Sequence, residues 1–132
     1  YGDDLSSMKN CIYQHLIRVL MDVRKKGFQI IIGLAGTITT LAAIDLKLEK
    51  YDKEKIHQHI LSVFKIDDFL EELSLKDLAE RKKVKGLNPD RADIIVAGIL
   101  IISTIMEFLD VKKIMVSEND ILDGIIYSMI NF

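Results

Sequence analysis

Apolar residues recur along the chain in two rhythms, and each change of rhythm marks an element boundary. Leu5, Met8, Ile12, Leu16, Val19 and Val23 keep the three-to-four spacing of one helical face. They run ahead of Arg24-Lys25-Lys26, whose charge suits the negative end of a helix dipole. Ser6 or Ser7 is expected to cap this helix and Gly27 to end it. Ile30-Ile31-Ile32 follows as an unbroken β-branched run, the pattern of a strand covered on both faces of a parallel sheet. Gly33 and Gly36 then allow a sharp turn, Thr37 is expected to cap a second helix, and Leu41, Ile44 and Leu48 continue it.

The charged run Tyr51-Asp52-Lys53-Glu54-Lys55 reads as a surface connection. Residues 62–83 carry two short amphipathic helices, the first with Ile66, Phe69, Leu70 and Leu73, the second with Leu75, Leu78 and Ala79. Ser74, with Asp77 three positions on, is the expected cap of the second. Asn88-Pro89-Asp90 predicts a helix start with Pro in the first position, continuing through an apolar body to about Leu109. Gly98 in its middle predicts close packing against another backbone. Lys113-Ile114-Met115-Val116 is a second short strand, and Ile121, Leu122, Ile125, Ile126 and Met129 form one face of a last helix around Gly124. Two strands do not make a stable sheet. Neighbouring strands are therefore expected from an absent N-terminal segment, another chain or domain swapping.

A chain of 132 residues with 49% hydrophobic content suits one domain with one core. The formal net charge of −2 supplies no basic field, which disfavours a nucleic-acid partner. The single cysteine, Cys11, cannot pair within the chain and fits a reducing compartment, so a cytoplasmic location is expected. The polar start Tyr1-Gly2-Asp3-Asp4 reads as neither a signal peptide nor a natural initiation, and a fragment is expected. The longest apolar run, Ile94 to Met106, is shorter than the ~20 residues that cross a bilayer, so it reads as a buried helix and no membrane partner is expected.

Candidate chemistry is concentrated in the first strand–turn–helix. Free N–H groups at such a helix start, backed by the positive end of the dipole, can hold a phosphate or another anion. The segment matches neither the GxxxxGK[ST] phosphate loop nor the GxGxxG dinucleotide fingerprint, and ordinary α/β construction accounts for two glycines equally well. His57 and His59 would point to one side if their stretch were a strand and could then ligate a metal, but no third ligand is marked nearby. Arg91 and Asp93 read as an internal ion pair or as ligand-facing groups. Glu118 lies just past a strand end, where ligands gather in open α/β sheets, although a polar helix start explains it too.

Three ordered blocks narrow these alternatives: Gly33-Leu34-Ala35-Gly36-Thr37-Ile38-Thr39-Thr40-Leu41-Ala42, Gly86-Leu87-Asn88-Pro89-Asp90-Arg91-Ala92-Asp93-Ile94-Ile95, and Ile114-Met115-Val116-Ser117 with Leu122-Asp123-Gly124-Ile125-Ile126-Tyr127. Together with Ile56-His57 and Glu80-Arg81, they resemble the exopolyphosphatase and guanosine pentaphosphate phosphohydrolase family over nearly the whole chain. The resemblance implies an α/β, predominantly helical fold: a partial actin-like ATPase (ribonuclease H-like) domain with few, parallel strands. Residues 1–132 would be the later part of the second such domain, with the N-terminal domain absent. It further implies hydrolysis of the terminal phosphoanhydride of polyphosphate or guanosine pentaphosphate by water, with Mg²⁺ as cofactor.

By motif position, Gly33, Gly36, Thr37 and Thr39 would line the ligand cleft, with Arg91, Asp93, Ser117 and Glu118 in support. The family's first phosphate loop, catalytic glutamate and Asp-Ile-Gly-Gly-Gly-Ser loop do not occur in this sequence. No catalytic residue and no metal ligand is therefore assigned here, and the chain alone is expected to be inactive. Leu122 stands where the family often has Arg. Partners implied are the polyphosphate or guanosine pentaphosphate substrate, the missing domain or a strand-supplying chain, and a second copy in a homodimer. The competing reading is a noncatalytic module of the same fold that binds a nucleotide or a protein partner.

Overall fold

The computed structural model describes residues 2–130. Helix α1 (Gly2–Lys26) leads to strand β1 (Ile32–Gly33) and helix α2 (Gly36–Asp45). A short helix α3 (Lys53–Ile56), strand β2 (Ile60–Ser62) and helices α4 (Val63–Leu75) and α5 (Leu78–Arg81) follow. A 3₁₀ turn (Pro89–Arg91) then precedes helix α6 (Ile95–Leu109), strand β3 (Lys113–Val116) and helix α7 (Ile121–Ile130). The sheet order is β1-β3-β2, with β1 parallel and β2 antiparallel to β3. The α/β, mostly helical class is as expected, and the two anticipated strands are parallel neighbours. The antiparallel β2 was not anticipated as a strand. Its three residues are too few for alternation to stand out from the helix that follows.

Burial explains the arrangement. In α2 every residue from Ile38 to Ile44 is buried, so this helix is enclosed on all sides rather than amphipathic. Ile38, Leu41, Ile56, Leu61, Ile66, Leu73, Ile95, Ile99, Met106 and Val116 fill the core around it. Helix α6 packs against α1, α2 and α4 and forms the centre of the helical layer. Its contact with α2 is close: a Cβ on Gly98 would lie 2.7 Å from both Oγ1 and Cγ2 of Thr37, so the mid-helix glycine makes room for a side chain and not for the backbone that was expected. Helix α1 is fastened to α6 by Lys9–Glu107 at 2.5 Å and by the edge of the Tyr13 ring on Phe108, with centroids 5.7 Å apart. Among the described residues, no helix is long and apolar enough to cross a membrane.

Several boundaries differ from the sequence expectation. Ile30 and Ile32 are 55% and 53% exposed, so the apolar run is not buried on both faces. The strand it enters is only Ile32–Gly33, and it pairs with β3 on one side, leaving the other edge open. Ser6 and Ser7 lie inside α1, which begins earlier than its apolar stripe. Ser74 falls within α4. The cap of the next helix is Asp77, which forms a capping box with Glu80, because that pair satisfies two backbone N–H groups reciprocally. Asn88 caps Pro89–Arg91 as expected, but the chain breaks there before α6 begins at Ile95. The last helix presents its apolar stripe outward, with Ile121, Leu122, Tyr127, Met129 and Ile130 each at least 65% exposed.

Candidate functional site

Strands β1 and β3 run side by side and deliver their following turns to the same edge of the sheet. The Ser117 amide donates to the Gly33 carbonyl at 2.7 Å, and the Met115 amide to that of Ile31 at 3.1 Å. The turn after β1 opens α2 without any side-chain cap. Ala35 is the cap residue, at φ 73° and ψ 177°, a backbone region that L residues rarely enter and that stores about 1–3 kcal/mol. Thr37 is thus not the cap, as expected from sequence; it lies in the first turn with its side chain against Gly98. The first α2 amide to find a carbonyl is that of Thr39, which donates to Ala35 at 3.3 Å. The amides of Gly36, Thr37 and Ile38 precede it and have no partner within the helix.

Arg91 lies directly over this helix start. A Cβ on Gly36 would be 1.9 Å from Arg91 Nη1 and 2.1 Å from Cζ, so the guanidinium occupies the space that the glycine leaves open. Among the described residues, Arg91 forms no ion pair with a carboxylate. A helix N-terminus carries roughly half a positive charge, so a cation set against it is repelled unless an anion joins them. An open groove of about 370 Å³ borders Gly33 to Ile38 and Arg91. Its far wall is apolar, made by Ile31, Ile32, Leu34, Ile101 and Ile105.

A second group adjoins the first. The Tyr51 hydroxyl donates to Glu118 Oε1 across 67 residues of sequence, and the Glu118 amide donates to His57 Nδ1 at 3.3 Å. Partial burial pushes the Tyr51 hydroxyl above its ordinary value of 10.0, and the Glu118 carboxylate pushes it further. Thr39 and Arg91, both close enough to act on it, pull in the opposite direction. The phenol therefore remains a donor across the neutral range.

Not every residue singled out from sequence serves this edge in the same way. Gly33 answers a packing demand: a Cβ there would meet Ile38 Cγ1 at 2.8 Å and Ile114 Cδ1 at 2.9 Å. Thr39 is buried, with its hydroxyl turned to the Ala35 and Gly36 carbonyls at 3.3 and 3.4 Å. Ser117 closes its own turn with Asn119. Asp93 is exposed and makes neither the anticipated ion pair with Arg91 nor any described hydrogen bond to the cluster. The structure thus brings Arg91 to Gly36 at the start of the helix that also carries Thr37 and Thr39, and Glu118 to Tyr51 and His57.

Tyr51 and the capping position of Ala35 were not singled out from the sequence, and His57, read there as half of a possible metal pair, instead accepts from the Glu118 amide. The only signal for Tyr51 is an aromatic residue at the head of a charged run. His57 and His59 do not act as a pair. Gln58 between them has φ 66°, and His59 Nε2 turns instead to Asp45 Oδ2 at 2.9 Å. Among the described residues, no three His, Cys, Asp or Glu side chains converge as a metal shell.

The family model for the Ppx/GppA phosphatase family matches residues 3–131. The chain belongs to the Ppx/GppA phosphatase family. Among curated Ppx/GppA-related proteins, it is 40% identical over 110 residues to a bifunctional 3-dehydroquinate synthase/phosphatase of Fusobacterium nucleatum, covering 83% of this chain and 16% of that protein. It is 28% identical over 130 residues to exopolyphosphatase 2 of Mycobacterium tuberculosis, covering 96% of this chain and 41% of the relative. The Ppx/GppA crystal structure from Aquifex aeolicus superposes with a TM-score of 0.86 at 26% identity, over 98% of this chain and 41% of that one. An exopolyphosphatase from Cytophaga hutchinsonii superposes at 0.84 with 26% identity, over 99% and 43%. The chain therefore spans less than half the length of these Ppx/GppA relatives.

Proposed function

We propose that this chain is part of a phosphatase that removes the terminal phosphate of inorganic polyphosphate or guanosine pentaphosphate. In this reading, the turn from Gly33 to Ile38, together with Arg91, seats a phosphate group. One observation carries it: an unpaired guanidinium lies against an uncapped helix N-terminus, an arrangement of like charges that an oxyanion between them makes favourable. Free helix-start amides and a guanidinium are also the kinds of group that stabilise charge developing on a transferring phosphoryl group. The names of the exopolyphosphatase relatives support the substrate class.

The water-orienting carboxylate is assigned to the rest of the parent protein, because Glu118, the carboxylate singled out past β3, is already engaged by Tyr51. Magnesium, which would neutralise phosphate charge when bound, takes its ligand set from there as well. The same missing half, a strand-supplying chain or a second copy would cover the open edge of β1 and the outward stripe of α7. The chain by itself is accordingly inactive.

Titration of the isotope-labelled chain with inorganic tripolyphosphate tests the seat. Amide shifts at Gly36, Thr37 and Ile38 that saturate, and that vanish in Arg91→Gln, are expected; silence at these amides would overturn the reading. A noncatalytic module of the same fold would bind in this titration, yet release no phosphate after the upstream half is restored.

A further inference from the structure

Gly36 gives the seat its room and takes away its stiffness. The residue has to lack a Cβ, because Arg91 fills that space. A glycine, however, leaves the peptide planes on either side of it freer to rotate than another residue would. The plane between Ala35 and Gly36 carries the Gly36 amide, and the plane between Gly36 and Thr37 carries the Thr37 amide. These are two of the three free amides of the helix start. Ala35, on the far side of the first plane, is already held at φ 73°, where L residues are strained. Either plane, left to itself, could turn over and present a carbonyl oxygen to the groove in place of an N–H.

Both planes are fastened from behind. In a trans peptide the C=O and N–H point in opposite directions, so a donor on the carbonyl fixes where the amide points. The Thr40 hydroxyl donates to the Gly36 carbonyl at 2.6 Å. The Thr39 hydroxyl spans the Ala35 and Gly36 carbonyls at 3.3 and 3.4 Å, and the Thr39 amide donates to Ala35 at 3.3 Å. Thr39 and Thr40 are the polar residues in the buried run from Ile38 to Ile44. Packing alone would be served there by valine, which has nearly the shape of threonine and brings no hydroxyl to desolvate. Back-bonding of this kind slightly destabilises an ordinary helix interior. Here the bonded carbonyls are the two that flank the glycine.

We propose that Thr40, supported by Thr39, is a positioning residue of the anion seat: its hydroxyl holds the backbone around Gly36 so that the Gly36 and Thr37 amides stay aimed at an incoming phosphate. The inference rests on the phosphate-seat reading and adds what keeps the seat formed before the ligand arrives. Donors set in advance spare the complex the ordering of the turn.

Thr40→Val removes the donor and keeps the branched shape, while Thr40→Ser keeps the donor and removes the methyl. In the tripolyphosphate titration, T40V should bind about fivefold more weakly, the scale of one net hydrogen bond, and T39V/T40V about tenfold. T40S should stay within about twofold of the parent. A packing role reverses that order, because T40S leaves a methyl-sized gap in the core and T40V does not. One readout needs no ligand. In the free proteins, residual dipolar couplings of the Gly36 and Thr37 N–H bonds should change in T40V and keep the parent values in T40S, while those of Leu41 to Ile44 stay the same in both.

Failure of the parent to bind tripolyphosphate would remove the seat and this role with it. Where the parent binds, unchanged Gly36 and Thr37 couplings in T40V, parent-like affinity in T39V/T40V, or a T40S as weak as T40V would each overturn the positioning role and leave the seat standing.

Discussion

Gly36→Ala separates the seat from the fold more cleanly than any other change. The added methyl would come within 1.9 to 2.3 Å of Nη1, Cζ and Nη2 of Arg91, all at the far end of a flexible side chain, so the guanidinium can swing away while the backbone stays. Gly36 is the first residue of α2, where alanine is an acceptable helix former, and stability should be unchanged or higher by up to about 0.5–1 kcal/mol. The seat, however, loses its cation. A hydrogen bond to a charged group contributes about 1.5–3 kcal/mol, so tripolyphosphate affinity should fall about ten- to hundredfold. Calorimetric titration gives the affinity and a urea melt gives the stability of the same sample. Parent-like affinity in a folded G36A would refute the claim that Arg91, as placed over this glycine, holds the anion. A loss of several kcal/mol in the melt would show instead that the glycine serves packing.

Further outcomes follow from the same geometry. Gly86→Ala should cost about 2–4 kcal/mol in a denaturant melt, because φ is +89° and the new Cβ would lie 2.4 Å from the Ala43 carbonyl oxygen, a backbone atom that cannot step aside. Ala35→Gly should stabilise the fold by about 1 kcal/mol in the same assay by relieving the positive-φ cap, unless the added freedom of the unfolded chain offsets it. The raised Tyr51 ionisation makes stability pH-dependent at the alkaline end: its share is fully present below pH 10.0, the ordinary tyrosine value, and is lost as pH rises through the higher folded-state value. Y51F should flatten that part of a pH–stability curve, and an unaltered curve would count against the hydrogen-bonded phenol.

The open surfaces have a shared physical origin. A two-residue edge strand with Ile30 and Ile32 exposed, and a terminal helix with its apolar stripe outward, are faces that no element among the described residues covers. Local patterns had nevertheless located β1, β3 and α7 correctly in order, because apolar runs and stripes mark an element whether or not its face is covered. What they misjudged was the burial of the apolar run at β1, where Ile30 and Ile32 are exposed.

Residue order alone determined the succession of helices, the turn rich in glycine, the Asn88-Pro89 start and the family, because these depend on near neighbours: spacing, capping and backbone freedom. It could not determine that Ala35, rather than Thr37, would cap α2, that His59 would turn to Asp45, or that Arg91 would rest on Gly36 and not pair with Asp93. Those outcomes join residues dozens of positions apart. Only tertiary packing, including α6 on α2 and β1 on β3, brings Arg91 to Gly36 and Glu118 to Tyr51, because hydrogen bonds and charges act over a few ångströms of space whatever their separation along the chain.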